Sequence, residues 1–481
     1  MEDIFDKIQV ITGISKYSNS EVITPKEIVT DMVDLLPPEI FNPDAKFLDP
    51  AVKSGRFLIE IYHRLMHSPL LDHIPEPDRQ KHIIENQLYG LATSPVAATV
   101  TRKALYGNPL VTGNIVYIDQ YLTLMANKGT DFRKLIEKEF GQMKFDVVIG
   151  NPPYQQDTGG GNGGGASTLY DKFVLRGIEV SSRYICFITP ARWYTDESRV
   201  KDLKDKLIDN HKMRELHDFP NTSEVFENVY IMGGVCYYLY DKEWNDLCKI
   251  IEHRDGKVIE SHRFLKESFS DSFIRNSTAV SIVSKAVSDT NFVSIYDYIQ
   301  DYNVFKLRSY EKGNAVPTSE KDVVIYYTGN KSKGGDFGYI NRDNVPAGSQ
   351  LIDKHKIFIN SVSDNMLGFP YKVLYKAFYG APGTVCNESY LMIGPLNDGR
   401  YAENIIKYLS TRFVRILVQQ RKTSQLAYKR VYKFVPIQNF SSNSDIDWSQ
   451  SVADIDKQLY KKYGLTQEEI DYIEATIKPM D

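Results

Sequence analysis

Short apolar runs alternate with amphipathic stretches through the first half of the chain. The apolar runs predict strands that begin near Lys46, Gln87, Asn114, Lys144, Arg183 and Met213. The amphipathic stretches predict helices over residues 56–65, 95–106, 169–180 and 197–209. Alternation of strands and helices at this spacing is typical of a parallel sheet with helices on both faces.

A seventh strand is predicted over residues 230–240. The loop in front of it has no room for a crossover helix, so we expect it to form an antiparallel edge pair with the sixth strand. The prediction for residues 1–245 is therefore a doubly wound α/β domain with a mostly parallel, seven-stranded sheet.

The pattern changes after Trp244. Short strand-like pieces near residues 323–329, 356–362 and 389–395 alternate with loops rich in Gly, Asn and Ser, and two helices are predicted over 402–410 and 411–419. This mixture indicates a separate α+β domain over residues 246–440. A charged helical tail over residues 441–481 is expected to follow it.

The composition excludes some classes of protein. Apolar residues make up 42% of the chain and charged residues 25%, which is typical of a globular protein. No apolar run reaches the ~20 residues that span a bilayer, and the first ten residues do not resemble a signal peptide. The four cysteines lack paired short spacing, and the histidines lack ligand-like spacing, so no metal is expected. We therefore expect a cytoplasmic protein with reduced, buried thiols and no membrane partner.

The first candidate binding loop is FLDPAVKSGRFL, residues 47–58. A strand ends near Asp49, and a tight turn with Ser54 and Gly55 then starts a helix. Small residues in such a turn allow the backbone to approach a ligand, and the helix offers free N–H groups. In a doubly wound sheet, ligands bind at this carboxyl edge.

The second loop is FDVVIGNPPYQ, residues 145–155, in which a buried strand leads into Asn151-Pro152-Pro153-Tyr154. The two prolines fix the backbone and remove two N–H donors. Oxygen atoms of Asn151 and Pro152 can then converge as hydrogen-bond acceptors beside an aromatic ring. A planar exocyclic amine on a base that has left its stack is recognised by such a set of groups.

These motifs resemble those of the amino-methyltransferases of DNA adenine. Three further segments carry the resemblance: VITPKEIVTDMVDLL (22–36), YIDQYL (117–122) and LHDFPNTSEVF (216–226). Their order is the one called gamma, and the chain looks like the methylase of a prokaryotic or phage-encoded restriction–modification system. The resemblance implies a Rossmann-like methyltransferase fold, S-adenosylmethionine as cofactor and a C-terminal target-recognition domain.

The resemblance also implies roles for individual residues. The catalytic residues would be Asn151, Pro152, Pro153, Tyr154 and Phe226, the last packing on the face of the flipped adenine opposite the tyrosine. The cofactor would contact Thr24, Pro25, Asp49, Pro50, Ala51, Ser54, Gly55, Phe57, Thr93, Asp119 and Asn151. Acceptance of the two N6 hydrogens by Asn151 and Pro152 would localise the nitrogen lone pair for direct attack on the methyl group.

The chain departs from the family pattern at two positions. Lys53 stands where the family usually has glycine, and Ala92 stands where an acid usually holds the ribose hydroxyls. The ribose is therefore expected to be held by Thr93 or Ser94, or the affinity for the cofactor is low.

Positive charge is concentrated late in the chain. Basic residues without an intervening acid lie at Arg412, Arg415, Arg421, Lys422, Lys429, Arg430 and Lys433, and Lys331 and Lys333 form a smaller group. Such a stretch can follow a phosphate backbone, so double-stranded DNA is the expected partner. Arg308, Lys331 and Asn387 are candidates for reading bases. The glycine-rich segment 159–168 is expected to be a lid over DNA or a flexible linker.

Several alternatives stay open at this level. The same turn serves enzymes that methylate protein glutamine, amines in RNA or N4 of cytosine. The chain could also be a non-catalytic DNA-binding or specificity subunit that keeps the fold. Any restriction endonuclease, or another subunit of a defence system, would be a separate partner chain.

Overall fold

The computed structural model describes residues 22–155, 168–194, 200–227, 229–231, 233–254, 256–328, 336–363, 369–422 and 425–480. The chain divides into two compact units, Met1–Phe273 and Ile274–Asp481. Each unit is described by itself below.

In the described residues, the first unit contains a nine-stranded sheet. Its strands are β1 (Phe47–Val52), β2 (Leu88–Ala92), β3 (Ile115–Tyr117), β4 (Phe145–Gly150), β5 (Ser181–Pro190), β6 (Met213–Phe219), β7 (Val235–Asp241), β8 (Cys248–Arg254) and β9 (Lys257–Arg263). They are ordered β3-β2-β1-β4-β5-β7-β6-β8-β9. The first five form a parallel block, β7 runs antiparallel to both of its neighbours, and β8 runs parallel to β6. The expected mostly parallel α/β sheet is confirmed.

Two details of the predicted sheet are corrected. The strand β7 is antiparallel to β6 as expected, but it lies between β5 and β6 rather than at an edge. The part of the sheet that the structure describes also has nine strands instead of seven, because β8 adds to β6 and turns back into β9 at Gly256, whose φ is +72°. The residues of β9 are mostly exposed, so its sequence lacks the apolar run of a buried strand.

Helices cover both faces of this sheet. In chain order they are α1 (Lys26–Asp34), α2 (Arg56–Met66), α3 (Glu76–His82), α4 (Pro95–Tyr106), α5 (Tyr121–Ala126), α6 (Phe132–Phe140), α7 (Tyr170–Val180) and α8 (Lys201–Ile208). Neighbouring strand residues enter opposite apolar layers, as Phe47 and Leu48 do. One layer receives side chains of α1 and α2, the other those of α7 and α8. The sheet is thus doubly wound, and its buried strands need no polar face.

The second unit is α+β, as the sequence predicts. One three-stranded sheet contains β10 (Asp322–Tyr327), β11 (Asp336–Asn341) and β14 (Thr384–Cys386), and the other contains β12 (His355–Asn360), β13 (Phe378–Gly380) and β15 (Tyr390–Leu396). Its helices are α9 (Ser277–Val287), α10 (Ser349–Ile352), α11 (Ala402–Ser410), α12 (Arg412–Gln419), α13 (Val452–Lys462) and α14 (Gln467–Thr476). Both helices predicted near residue 410 are present.

The division of the chain differs from the predicted boundaries. Residues 246–273 belong to the first unit because β8 and β9 complete its sheet. The predicted tail 441–481 is part of the second unit. There the Asp456 carboxylate of α13 accepts hydrogen bonds from the backbone N–H groups of Arg412 and Phe413, both at 2.9 Å.

All four cysteines are buried free thiols. None of the helices in the described ranges is both long enough and apolar enough to cross a membrane.

Candidate active site at the carboxyl edge of the sheet

The strands β1 and β4 are parallel neighbours that bring two loops together. Phe47 pairs with Val147 and Leu48 with Val148, so both strands end at the same edge. A Cβ atom at Gly150, the last residue of β4, would lie 2.7 Å from Oδ1 of Asp49. Glycine at this position therefore allows the Asp49 carboxyl to pack against the backbone that leads into Asn151.

Asp49 is a buried carboxyl within β1, which continues to Val52 rather than ending near Asp49 as the sequence predicts. It is 2% exposed, and its Oδ1 accepts a hydrogen bond of 2.9 Å from the backbone N–H of Ala51. Burial raises the pKa of Asp49 to about 7, although the Ala51 hydrogen bond and the Lys53 ammonium both favour the ionised form. Asp49 can therefore gain or lose its charge near neutral pH.

The turn after Asp49 starts α2 at a position that requires glycine. Gly55 has φ +76°, and a Cβ atom there would lie 2.7 Å from the Thr101 side chain. Any side chain would thus be strained both by the left-handed backbone and by the packing against α4.

Asn151 is held in one orientation by the segment that precedes α1. Its amide Nδ2 donates to the carbonyl oxygen of Val22 at 3.0 Å and to Oγ1 of Thr24 at 3.1 Å. The residue is 3% exposed, and its Oδ1 is buried with no hydrogen-bond partner among the described residues. An unsatisfied buried acceptor is costly and is uncommon in folded proteins. The two hydrogen bonds of Nδ2 fix the orientation of the amide, so this acceptor oxygen is held in place without a donor.

A pocket with about 260 Å³ of empty space connects these groups. It is lined by Ile23, Thr24, Asp49, Ala51, Lys53, Ser54, Gly55, Arg56, Phe57 and Asn151. Seven of the predicted cofactor residues therefore lie together. Pro25 and Pro50 flank them, since Pro25 precedes α1 and the Pro50 carbonyl accepts a hydrogen bond of 2.8 Å from the Tyr121 hydroxyl.

Thr93 and Asp119 lie outside this pocket. Thr93 is buried at the end of β2, where its hydroxyl donates to the Val52 carbonyl at 3.3 Å. The Ser94 hydroxyl caps α4 by accepting from the Ala97 N–H at 3.2 Å. Both hydroxyls thus have structural partners in this conformation. Asp119 is exposed just after β3, next in the sheet to β2.

The two predicted base-stacking aromatics differ in their surroundings. Tyr154 is half-buried, with its ring edge-to-face against Tyr170 at 6.4 Å between centroids. Its hydroxyl is buried without a partner among the described residues, and burial raises its pKa. Phe226 is 2% exposed and belongs to the apolar layer on the α1–α2 face. Its predicted contact with a base therefore requires the side chain to leave that layer.

The prediction of a continuous basic surface is wrong for four of its residues, because these are buried or paired within the second unit. Arg415 is 0% exposed, and its guanidinium donates to the carbonyl oxygens of Ser410, Thr411 and Lys372. Arg421 and Lys422 are each 5% exposed. Arg412 binds Glu474 and the Ile477 carbonyl. These four cations are used inside the second unit, so they do not form a phosphate-binding surface in this conformation.

The last part of the basic stretch stays accessible. Arg430 and Lys433 are exposed, and Lys429 is half-buried above the Tyr296 ring, 4.6 Å from its centroid. These three residues remain candidates for contact with phosphate.

The remaining candidates for DNA contact differ in their exposure and in their hydrogen-bond partners. Arg308 is exposed and pairs with Glu388 at 3.4 Å. Asn387 is 0% exposed and donates to the carbonyls of Ser309 and Glu311, so it is a structural residue rather than a reader of bases. Lys331, Lys333 and residues 159–167 of the glycine-rich segment lie outside the described residues.

Three site residues escaped the sequence analysis. The Val22 carbonyl, Arg56 and Gly150 all shape the pocket, Arg56 by donating to the Thr24 carbonyl at 2.7 Å. Arg56 could have been noticed, because the first turn of a helix at the carboxyl edge faces the ligand. The role of the Val22 carbonyl depends on a main-chain position, for which the side-chain pattern gives no signal.

Part of the chain resembles known methylases in sequence. Residues 86–226 match the family described as Eco57I restriction-modification methylase. An uncharacterized adenine-specific methylase of Mycoplasma pneumoniae is 29% identical over 336 residues, which are 56% of this chain and 77% of that protein.

Solved structures show a related fold. A nuclease-deletion mutant of the Type ISP restriction-modification enzyme LlaGI, in complex with a DNA substrate mimic, matches with a TM-score of 0.51 at 10% identity. This likeness covers 90% of the present chain and 47% of LlaGI, so the chain spans about half the length of that relative. The Type IIL enzyme MmeI, in complex with DNA, has a TM-score of 0.48 at 13% identity over 94% of this chain and 74% of MmeI. The chain is therefore similar to the Eco57I restriction-modification methylase family over residues 86–226, and to an adenine-specific methylase over 336 residues.

Proposed function

We propose that this protein transfers a methyl group from S-adenosylmethionine to the N6 amino group of an adenine flipped out of double-stranded DNA. The observation that carries the proposal is the buried, unpartnered Oδ1 of Asn151 beside the pocket. The proposed setting is a prokaryotic or phage restriction–modification system in the cytoplasm. The second unit would recognise the target sequence, and any nuclease or further defence subunit would be a separate chain.

The residues of the pocket fit one end of the cofactor. S-adenosylmethionine carries a sulfonium, an ammonium and a carboxylate, and the pocket wall contains one carboxyl, Asp49, and two cations, Lys53 and Arg56. We infer that the pocket takes the amino-acid end. Asp119, after β3, would contact the adenine end.

The cofactor supplies an electrophilic methyl group, and the task of the protein is to position and activate the amine. The Oδ1 of Asn151 accepts one N6 hydrogen, and the Pro152 carbonyl is the proposed acceptor of the other. This pair favours a tetrahedral nitrogen whose lone pair is no longer delocalised into the ring. The Asn151 amide is oriented before the base arrives, so its oxygen needs no reorganisation during the reaction.

The aromatic residues are proposed to hold the base from its two sides. Tyr154 packs against the layer that contains Tyr170, whereas Phe226 belongs to the opposite layer. Each aromatic ring can contribute ~1–3 kcal/mol by stacking, which offsets part of the cost of unstacking the adenine.

The Tyr154 ring, rather than its hydroxyl, should support the reaction. We expect Tyr154→Phe to leave the rate of methyl transfer within about threefold of wild type, because the hydroxyl lost is buried and unpartnered. Tyr154→Ala should lower the rate by roughly 5- to 150-fold, as loss of one stacked ring implies. Single-turnover rates of the two variants test this. A large loss of activity in the phenylalanine variant would contradict it.

Cofactor affinity should depend on the ionisation of Asp49, whose pKa is about 7. The cofactor is a net cation, so it binds better to the ionised carboxyl. Below pH 7 binding must release a proton, and affinity should fall by up to about tenfold for each pH unit. We expect titration calorimetry between pH 5.5 and 7.5 to show this slope for wild type. The Asp49→Asn variant should bind weakly and without the slope, and a flat wild-type profile would show that the charge is not used.

The proposed function is tested by the product. The full-length protein is incubated with duplex DNA and S-adenosylmethionine labelled in its methyl group, and the digested nucleosides are separated. Label in N6-methyldeoxyadenosine is the expected result. Label in N4-methylcytosine, or in RNA or protein glutamine supplied in parallel, would reject the proposed substrate. Cofactor binding without transfer to any of these would favour a DNA-binding subunit that keeps only the fold.

A further inference from the structure

The segment that carries Asp119 is tied to β1 by one buried side chain. Tyr121, the first residue of α5, is 2% exposed, and its hydroxyl donates to the carbonyl oxygen of Pro50 at 2.8 Å. Pro50 lies between Asp49 and Ala51, which both line the pocket. The strand β2 stands between β1 and β3 in the sheet. The hydrogen bond therefore joins two segments that are not neighbours in the sheet.

The position of Asp119 depends on that of Tyr121 through a tight turn. Gln120 has φ +55°, and the Tyr121 N–H donates to the carbonyl oxygen of Ile118 at 3.2 Å. A residue other than glycine rarely adopts this left-handed conformation, so the contacts around the turn must hold it. A displacement of Tyr121 would therefore move Asp119 as well.

The helix α5 is supported by α7. Phe173 meets the Tyr121 ring edge-to-face, with 5.9 Å between the ring centroids. Arg176, three residues later on the same face of α7, is 7% exposed. Its guanidinium donates to three carbonyl oxygens at the end of α5, those of Leu124, Met125 and Asn127, at 3.1, 2.8 and 2.7 Å. Both ends of α5 are thus held, and the Tyr121 hydroxyl connects this helix to the wall of the pocket.

We propose that Tyr121 is a positioning residue that holds the two ends of the cofactor site at a fixed separation, and this rests on the cofactor assigned under the proposed function. S-adenosylmethionine would contact Asp119 with its adenine and the pocket with its amino-acid end. Both segments must then be correctly placed at the same time. The buried hydrogen bond places them before the ligand arrives, so binding loses less free energy in ordering the site. Tyr121 acts through Asp119 and Pro50 and needs no contact with the ligand.

The absence of a carboxylate at Ala92 makes this coupling more important. Ala92 ends β2, the strand between the two segments that Tyr121 joins. The middle of an extended ligand gains no charge-assisted hydrogen bond from this residue. The affinity therefore depends more strongly on the two ends of the ligand acting together.

The proposal predicts a loss of affinity that depends on the length of the ligand. Tyr121→Phe removes the hydroxyl but keeps the ring against Phe173. The variant should bind S-adenosylmethionine roughly 3- to 10-fold more weakly than wild type, the range of one neutral hydrogen bond. Methylthioadenosine, which lacks the amino-acid end, should bind variant and wild type with affinities within about twofold, the usual scatter of such comparisons.

The experiment is titration calorimetry of the full-length chain with both ligands, and it includes a double-mutant cycle with Asp119→Ala. When Asp119 is absent, the adenine end is no longer held, so there is little left for Tyr121 to couple. Tyr121→Phe should then change the affinity for S-adenosylmethionine by no more than about twofold. Non-additive losses of this kind distinguish coupling from a purely structural role.

Tyr408→Phe is the matched control. Tyr408 is 0% exposed, and its hydroxyl also donates to a proline carbonyl, that of Pro436 at 2.6 Å, in the second unit. This variant should bind both ligands as wild type does. Urea unfolding of every variant checks that the chain is folded.

The outcomes separate this proposal from the proposed function. An equal change for both ligands in Tyr121→Phe, including no change for either, would overturn the proposal and leave the proposed function untouched. Equal losses with and without Asp119 would overturn it as well, because Tyr121 would then act on β1 alone. If wild type binds neither ligand, the cofactor assignment fails and the proposal fails with it. If the length-dependent loss is found but no adenine in DNA is methylated, the role of Tyr121 stands and the proposed function fails.

Discussion

Replacement of Asn151 by alanine should lower the rate of methyl transfer to DNA by at least about 10²–10³-fold, the usual cost of removing one pre-oriented polar group from a reacting centre. The variant loses the buried Oδ1 that faces the proposed amine. It also loses the two donor hydrogen bonds, of 3.0 and 3.1 Å, to Val22 and Thr24. The effect should therefore appear in the chemical step and, more weakly, in cofactor affinity.

Single-turnover assays at saturating cofactor separate these two effects, and calorimetry measures the affinity. Asn114→Ala is the matched control, because its Nδ2 also donates to a backbone carbonyl, that of Glu85 at 2.8 Å, near the start of β3 and outside the pocket. It should methylate at the wild-type rate. A rate for Asn151→Ala within about tenfold of wild type would mean that Oδ1 does not activate the amine.

The second large effect concerns stability. Asp456→Ala should lower the free energy of unfolding of the second unit by about 3–5 kcal/mol, as expected when one partner of a buried charged network is removed. Asp456 is 2% exposed and accepts from two N–H groups in the first turn of α12, both at 2.9 Å. The positive charges of Arg415 and Arg412 also attract its carboxylate and favour the ionised form. In the alanine variant, the two N–H donors and the two arginines stay inside the protein but lose the carboxylate that accepts from them or balances their charge.

Urea unfolding followed by circular dichroism measures this loss. Asp454→Ala is the control on the same helix, since Asp454 is exposed at the start of α13, where it pairs with Lys457 at 2.8 Å. We expect no measurable change for this variant. If the Asp456 variant unfolds at the wild-type urea concentration, the carboxylate does not hold α12 in place.

The site at the carboxyl edge was partly predictable because its residues lie in or directly after buried strands. Asp49 lies within β1 and Asn151 directly follows β4, and neighbouring parallel strands bring such positions together. The orientation of Asn151 was not predictable, since it depends on the carbonyl of Val22, a residue 129 positions away.

The burial and pairing of the basic residues could not be predicted from their clustering in the sequence. The stretch from Arg412 to Lys433 contains no acid, but the carboxylates of Asp456 and Glu474 reach Arg412 from later helices. Likewise, β9 was missed because a mostly exposed strand has no apolar run. Both features arise from pairing between distant segments, which local pattern does not encode.

The sheet extension defines where relatives of this protein can be recombined. In β6, the residues from Glu215 to Asp218 are paired with β8, so a chimera joined near residue 245 would expose their unpaired main-chain groups. Open strand edges of this kind promote aggregation. A junction after Phe273 keeps β9 as the natural edge, where Lys257, Glu260 and Arg263 already discourage strand addition. Under the proposed function, in which the second unit recognises the target sequence, exchange of specificity should therefore carry the segment from Ile274 onward as a single cassette.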